Sequence, residues 1–481
     1  MKKFYFLVWY LFIVHGIFAD QKVDEVWYDL IMMGKSIGYV HETVFNTKNG
    51  FATETQQKLT LRRGDTILSM EEISSVIENR LGQVVSFIRE EKQGEMVRKT
   101  EGKTEGTYFN LTTTEGEIVT ERKVKWEKRA IGPQKTKELL KNKIQNKEKE
   151  FEFLMFSVDY PNLVLPTKVT IDNTTNIELY GKKYAGNIIS IEYINAGSLK
   201  SEMVVNQDGL LLKSYTKIGP ITIETLLSDK SLQNRKLEQV TEIMESSFIK
   251  VGKIKNARNL KKAKWEMKFI DSLPTKIVSS SVQSVQKIGN GIFHISIDLD
   301  NSKIEQISSQ ELTLYLADSS YISTSDKEIQ KLASSVHEKK DKSIIAEQLR
   351  QVVYNYIQKK NLSMGFASAS QTVRSKEGDC TEHSVLLAAL LRTSGIPSRV
   401  AVGVVYADQF LNQGNLMGYH MWTQGYINDR WVDLDASIDP KIPFDATHIL
   451  FATAALESES GIEIQSEIFT YMNSIKLKKI E

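Results

Sequence analysis

A single cysteine, Cys380, stands where a loop sequence turns into a long apolar run. Asp379 precedes it and Glu382 follows three positions after Asp379, which is the spacing of a capping box with Asp as the cap residue. We therefore expect Cys380 at the first position of a helix. Unpaired N–H groups and the helix dipole at that position stabilise a thiolate, and also an oxyanion on a carbonyl that the thiolate attacks. This placement makes Cys380 a candidate nucleophile, whereas a buried apolar cysteine is the alternative interpretation.

The residues after Cys380 predict how far this helix extends. Its middle, "VLLAALL", is apolar on nearly every side, so we expect it to be buried. The helix should end near Ser394, because Gly395 follows and Pro397 lies just beyond.

A thiolate nucleophile needs a base, and the base needs a group that orients it. His420 opens the strand-like stretch "YHMWTQGYI", and Asp435 ends the next one, "RWVDLD". If residues 428–429 form a tight hairpin turn, Ile427 faces Arg430 across the ladder. His420 and Asp435 are then diagonal neighbours on one face of the hairpin, although another loop length would shift this register.

Two further histidines compete for the role of base. His383 lies one helical turn from Cys380, but it points sideways and has no evident acid partner beyond Glu382. His448, in "DATHIL", is a weaker candidate still. Both remain less favoured than His420.

Four sequence blocks occur together in the last 150 or so residues: "GDC" at the helix start, "RTSGIPSRV" after the helix, "HMW" on a strand and "WVDLD" on the next. This combination resembles the transglutaminase-like superfamily of papain-type Cys–His–Asp enzymes. The resemblance implies that Cys380 is the nucleophile, His420 the general base and acid, and Asp435 the group that orients the imidazole. More loosely, "GDCTEH" and the strand-rich front of the chain resemble exported bacterial proteins with C-terminal domains of this kind.

The chemistry implied by these roles is attack on an amide through a Cys380 thioester. Water then gives hydrolysis and an amine gives transamidation, and hydrolysis is favoured because similar bacterial domains resemble hydrolases more than cross-linking enzymes. We expect a protein or peptide substrate and assign no cofactor and no metal. The alternative function is a non-catalytic binding or envelope-assembly protein with the same fold. The second oxyanion donor stays open among four residues upstream of the cysteine: Tyr354, Tyr356, Asn361 and Gln371.

The rest of the chain divides into further predicted domains. Residues 20–240 show period-two alternation separated by turn residues, which predicts an antiparallel β-rich domain, and the charged stretch "KTKELLKNKIQNKEKEFEF" interrupts it as a surface helix or linker. Residues 241–325 read as a small strand-rich module. Residues 326–481 begin with helical spacing and continue with strands, so the fold class is α+β, with a transglutaminase-like (papain-like) C-terminal domain.

The first 19 residues predict a signal peptide: two lysines precede an apolar run that is short for a membrane-spanning helix, and a small residue follows. We therefore expect an exported protein, periplasmic or secreted, without stable membrane insertion after cleavage. Removal of residues 1–19 leaves 60 basic and 60 acidic side chains, so net charge gives no argument for nucleic-acid binding.

Overall fold

The computed structural model describes most of the chain: residues 21–93, 96–116, 118–158, 163–194, 200–218, 221–235, 244, 247–270, 277–336, 341–362, 366–456, 471–472 and 474–481. The predicted signal peptide, residues 1–19, lies outside the described residues. No helix in the described ranges combines the length and the apolar character needed to cross a membrane.

The first half of the chain forms one antiparallel sheet, as its alternating pattern predicts. Its strands are β1 Lys22–Met32, β2 Lys35–Thr47, β3 Gly50–Arg63, β4 Thr66–Asn79, β5 Val84–Gln93, β6 Met96–Glu105, β7 Tyr108–Glu115, β8 Ile118–Lys125, β9 Glu150–Phe156, β10 Val164–Leu179, β11 Lys182–Tyr193, β12 Lys200–Val205, β13 Leu211–Ile218 and β14 Ile221–Ser228. Two meanders, β1–β8 and β9–β14, join where β1 pairs with β14. Helix α1, Pro133–Gln145, lies between the two edge strands in sequence and covers the first part of the charged stretch predicted as a helix or linker, whose last residues belong to β9.

The 14-stranded sheet curls. Phe87 on β5 and Phe109 on β7 lie 5.6 and 6.2 Å, between ring centroids, from Phe156 on edge strand β9. Strands far apart in the sheet order can share one aromatic cluster only if the sheet bends toward itself. The cluster buries Phe109 completely and supplies a core on the concave side.

The second half of the chain contains two smaller sheets and five helices within the described residues. The strands are β15 Ile249–Lys250, β16 Lys262–Phe269, β17 Gln283–Gly289, β18 Ile292–Asp298, β19 Ser398–Phe410, β20 Gln413–Ile427, β21 Arg430–Leu434, β22 Ile449–Ala454 and β23 Ile475–Lys479. The helices are α2 Ser309–Leu314, α3 Lys327–Ala333, α4 Lys342–Tyr356, α5 Ala369–Ser375 and α6 Cys380–Thr393. This mixture confirms the α+β class.

Strand pairing links segments that are distant in sequence. One sheet has the order β15-β20-β19-β22, with β21 also on β20, and the other has the order β17-β18-β16-β23. Strand β16 therefore pairs with β23 near the end of the chain, and β15 pairs with β20. The boundaries at residues 240 and 325 stay predictions, and these ladders tie the segments on either side together.

Helix α6 is the centre of the C-terminal core. Residues 385–391 of this helix have no exposed side-chain surface, as the apolar run predicts. They pack against α3, α4, α5 and the start of β19, where Val400 and Val402 contribute. Complete burial of a Leu side chain stabilises the fold by roughly 1.5–3 kcal/mol. The buried leucines therefore hold α6 in place, and with it Cys380, the first residue of the helix.

Candidate active site

The N-terminus of α6 is built as the sequence predicts. The Asp379 carboxylate accepts hydrogen bonds from the backbone N–H of Thr381 at 2.8 Å and of Glu382, and the Glu382 carboxylate accepts one from the Asp379 N–H at 2.8 Å. These bonds form the complete capping box, which leaves the Cys380 N–H outside the cap's own bonds. Gly378 approaches so closely that a Cβ there would lie 2.3 Å from the Glu382 Cβ, which explains glycine at this position.

The hairpin of β20 and β21 brings His420 and Asp435 together. Ile427 pairs with Arg430, which confirms the register predicted from the two-residue turn. Both turn residues, at 428 and 429, have positive φ, as the tight turn requires. Asp435 follows the last residue of β21, and its Oδ2 lies 2.8 Å from His420 Nε2.

His420 contacts the thiol as well as the carboxylate. Its ring forms hydrogen bonds with both Asp435 and Cys380. Burial lowers the pKa of His420, but the Asp435 carboxylate, followed by Cys380, outweighs burial and raises this pKa to about 10. The ring is therefore protonated at neutral pH and faces a partly exposed thiol.

The Asp435 carboxylate is saturated with donors. Its Oδ1 accepts from the Ser437 N–H at 2.8 Å and from the Ser437 hydroxyl at 2.7 Å, while Oδ2 faces His420. Burial alone would raise the pKa of Asp435, but the charge of His420 and the hydrogen bonds that it accepts hold this pKa well below its usual range. Arg350 fixes the backbone at this point, because its guanidinium donates to the Asp435 carbonyl at 3.1 Å and is itself paired with Glu347.

His383 does not serve this group. Its Nδ1 lies 2.6 Å from the Asp379 carbonyl and therefore donates, while its Nε2 lies 2.9 Å from the Lys360 ammonium and therefore accepts. The ring is then neutral. Burial, followed by the Lys360 charge, lowers the pKa of His383 to about 4. The sequence argument against His383 as the base agrees with these contacts.

His448 is the residue that sequence reasoning undervalued. Its Nε2 lies 3.3 Å from Asp435 Oδ2, the oxygen that His420 also contacts, and its ring is fully buried. Nothing in "DATHIL" specifies this contact, since 13 residues and a turn structure separate His448 from Asp435. The one available signal in the sequence is that His448 directly precedes a strand-like stretch, which becomes β22 of the sheet that holds His420.

Comparison with known proteins identifies the C-terminal region. Residues 330–436 match the sequence model of the Transglutaminase-like superfamily. The chain carries a transglutaminase-like domain. This confirms the resemblance on which the site was predicted. No curated protein matches the chain.

Three solved structures are similar to parts of this chain at low identity. The β-barrel-like protein with a domain of unknown function from Brucella abortus is 14% identical, with a TM-score of 0.35, over 43% of this chain and 95% of that one. The "Putative Cysteine Protease" of Cytophaga hutchinsonii is 16% identical, with a TM-score of 0.28, over 45% and 81%. The "Putative Protease" of Parabacteroides distasonis is 14% identical, with a TM-score of 0.20, over 71% and 64%. All three TM-scores are below 0.5.

The site also contains a set of possible metal donors. Sequence analysis assigned no metal, yet His420, Asp435 and His448 place three donor atoms within 4.8 Å of one another, the one such group found in the described ranges. Two imidazoles and a carboxylate are a donor set that suits zinc. In the structure these atoms bond to one another through protons, so a metal would have to displace the hydrogen bond that orients His420.

The predicted candidates for the second oxyanion donor are engaged locally. The Tyr356 hydroxyl donates to the Val373 carbonyl, Asn361 donates to Glu377, and the amide oxygen of Gln371 accepts from the backbone in the capping box of α5. The ring of Tyr354 lies 3.7 Å below the Lys360 ammonium, measured to the ring centroid. These contacts do not select a second donor.

The N-terminal sheet reaches the active-site helix directly. Arg63, the last residue of β3, donates from Nη2 to Asp379 Oδ2 at 2.8 Å, one residue before the thiol. Nearby, the Ser368 hydroxyl donates to the Glu115 carboxylate at the end of β7. The cap of α6 is therefore shared between the two halves of the chain.

Proposed function

We propose that this chain is an exported thiol enzyme that acts on amide bonds of a protein or peptide through a Cys380 thioester. The observation that carries the proposal is the position of the His420 ring, which lies in contact with both the Cys380 thiol and the Asp435 carboxylate. An ion pair between a thiolate and an imidazolium is the resting state of an activated cysteine nucleophile.

The reaction follows from these positions. The Cys380 thiolate attacks the amide carbon, and the carbonyl electrons move onto oxygen, where the Cys380 N–H stabilises them. The C–N bond then breaks as His420 gives its proton to the nitrogen, which releases the amine and leaves an acyl thioester on Cys380. His420, now neutral, takes a proton from water as the water attacks the thioester, which releases the acid and restores the thiolate.

Hydrolysis is proposed over transamidation because of the family resemblance, since the catalytic group itself serves both reactions. The predicted signal sequence supports export to the periplasm or the medium. A lone thiol in an oxidising compartment is better explained by a chemical role than by a structural one.

The first test is the rate at which iodoacetamide alkylates Cys380 between pH 4 and pH 9, in the native protein and in His420→Ala. We expect fast alkylation well below pH 7 in the native protein and loss of that reactivity without His420. An ordinary thiol reacts only above about pH 8.5. If both proteins behave in this way, the enzyme proposal is refuted and the non-catalytic binding protein becomes the better interpretation.

A second assay separates the two outcomes of the thioester. Dimethylated casein and a fluorescent primary amine are offered together, with Cys380→Ala as the control. New peptides without label indicate hydrolysis, and label attached to intact casein indicates transamidation. We expect the first result, and we expect His420→Ala to lower the rate by about 10²–10⁴, the usual contribution of a general acid–base.

A further inference from the structure

His448 lies behind the proposed catalytic group, just before β22. It contacts the same Asp435 oxygen as His420, on a carboxylate whose other oxygen is held by Ser437. The Phe444 ring stacks on the imidazole, with 4.0 Å between centroids. The ring is therefore held between Phe444 and Asp435, and its side chain has no exposed surface.

Both ring nitrogens of His448 face acceptors. Nε2 faces the Asp435 carboxylate, and Nδ1 lies 3.1 Å from the backbone carbonyl of Asp445. An ionised carboxylate can only accept, so Nε2 of His448 is the donor in its contact with Asp435. The charges agree: burial lowers the pKa of His448, but the hydrogen bonds and charges of Asp435 and Asp445 overcome burial and raise it to about 9.

The support of His448 continues into the neighbouring segment. The Asp445 carboxylate accepts from the Thr447 N–H at 2.8 Å and from Arg258 Nη1 at 2.7 Å. Arg258 belongs to the short 3₁₀ helix Ala257–Asn259, which precedes β16. From Arg258 to His420 the charges alternate in sign, so each buried ion has a partner of opposite sign.

We propose that His448 is a positioning residue for the reaction at Cys380: its Nε2–H donates to Asp435 and fixes the carboxylate that orients His420. This inference rests on the proposed function. The two donors on Oδ2, together with Ser437 on Oδ1, leave the carboxylate one orientation that satisfies all its partners. Without His448, Asp435 can rotate or take up a proton, and His420 loses its orientation.

The test is a double-mutant cycle on the full chain, read as the rate of alkylation of Cys380 by iodoacetamide at pH 6. His448→Phe keeps a ring against Phe444 and removes both donors. We expect it to slow alkylation about 10-fold, and Asp435→Asn to slow it more. The double variant should match Asp435→Asn within about twofold, because His448 acts only through that carboxylate.

Two further variants sharpen the cycle. His448→Gln places an amide N–H₂ near the position of Nε2 and should recover at least half of the lost rate, which a purely structural role would not predict. His294→Phe, a partly exposed histidine on β18, is the matched control and should leave the rate unchanged.

The positioning role is refuted if His448→Phe is alkylated at the native rate. It is also refuted if the effects of the two single variants on this rate multiply in the double variant. In both cases the proposed function stands. Absence of low-pH reactivity in the native protein removes the proposed function and this inference with it. Should His448→Phe fail to fold, ¹⁵N NMR of the native histidine rings, assigned with His448→Gln, decides: we expect Nε2 of His448 to carry a proton at pH 7, and a ring without a proton on Nε2 refutes the proposal.

Discussion

The ion pair between Arg63 and Asp379 gives the sharpest test of how the N-terminal sheet supports the active-site helix. The paired atoms lie 2.8 Å apart, and the two side chains are 15% and 7% exposed. Replacing Arg63 with Ala removes the only charged partner that the structure gives Asp379 among its described contacts. The Asp379 cap on Thr381 is retained, so α6 should still form.

The expected cost follows from the geometry. Two unit charges about 4 Å apart at an effective dielectric constant near 20 attract each other by about 4 kcal/mol. Water can replace part of the guanidinium's interaction with Asp379 in the variant, and partial exposure screens the charges of the native pair, so we expect a net loss of about 2 kcal/mol, between the values for surface and buried pairs. At 1.4 kcal/mol per tenfold change, this loss corresponds to a roughly 30-fold increase in the opening of the helix.

Hydrogen exchange of peptides covering 380–393 measures that opening. Arg63→Ala should exchange about 30-fold faster, and Arg62→Ala, the exposed neighbour on the same strand, should exchange at the native rate. Asp379→Asn keeps a good cap residue but loses the charge, so combining it with Arg63→Ala should add little. Equal exchange in the native protein and in Arg63→Ala would show that the pair is worth no more than a solvated surface contact.

Three other perturbations follow from the charges in the structure. Asp435→Asn should lower the pKa of His420 from about 10 toward its ordinary value, because Asp435 is the largest cause that raises it, and alkylation of the thiol at pH 6 should fall at least tenfold. Burial raises the pKa of Glu78 from 4.5 to about 7, so the stability from its protonation is complete below pH 4.5 and is lost as the pH rises through 7. This loss lowers the free energy of unfolding by up to about 3 kcal/mol, and Glu78→Gln should reduce the pH dependence of urea unfolding by that amount. Lys360→Met should raise the pKa of His383 from about 4, although burial should keep it below 6.5, and ring NMR against pH measures the change.

The sequence predicted the parts of the site that depend on local patterns. The capping box, the extent of α6 and the register of the β20–β21 hairpin each depend on residues close together in the chain, and all three are found in the structure. The hairpin carries the His420–Asp435 contact, because two-residue turns leave a single register between the strands. The match of residues 330–436 to the transglutaminase-like model confirms the same region.

Contacts between distant segments could not be predicted. The Arg63–Asp379 pair joins residues 316 positions apart. Strand β23, which follows the transglutaminase-like domain in sequence, pairs with β16, which precedes it. Period-two alternation shows which face of a strand is buried but not which strand lies beside it. The short helix α5 was missed because seven residues are too few for helical periodicity to emerge.

The three histidines of the site show why residue type and spacing alone could not assign their roles. His383 is nearest to Cys380 in sequence, yet a lysine donates to one nitrogen and a carbonyl accepts from the other, which makes the ring neutral. His420 and His448 share one carboxylate oxygen, and the negative charge of Asp435 raises the pKa of both rings. Only His420 also contacts the thiol, and this contact makes it the candidate base. Protonation state therefore follows from the donors and acceptors that the fold places around each ring.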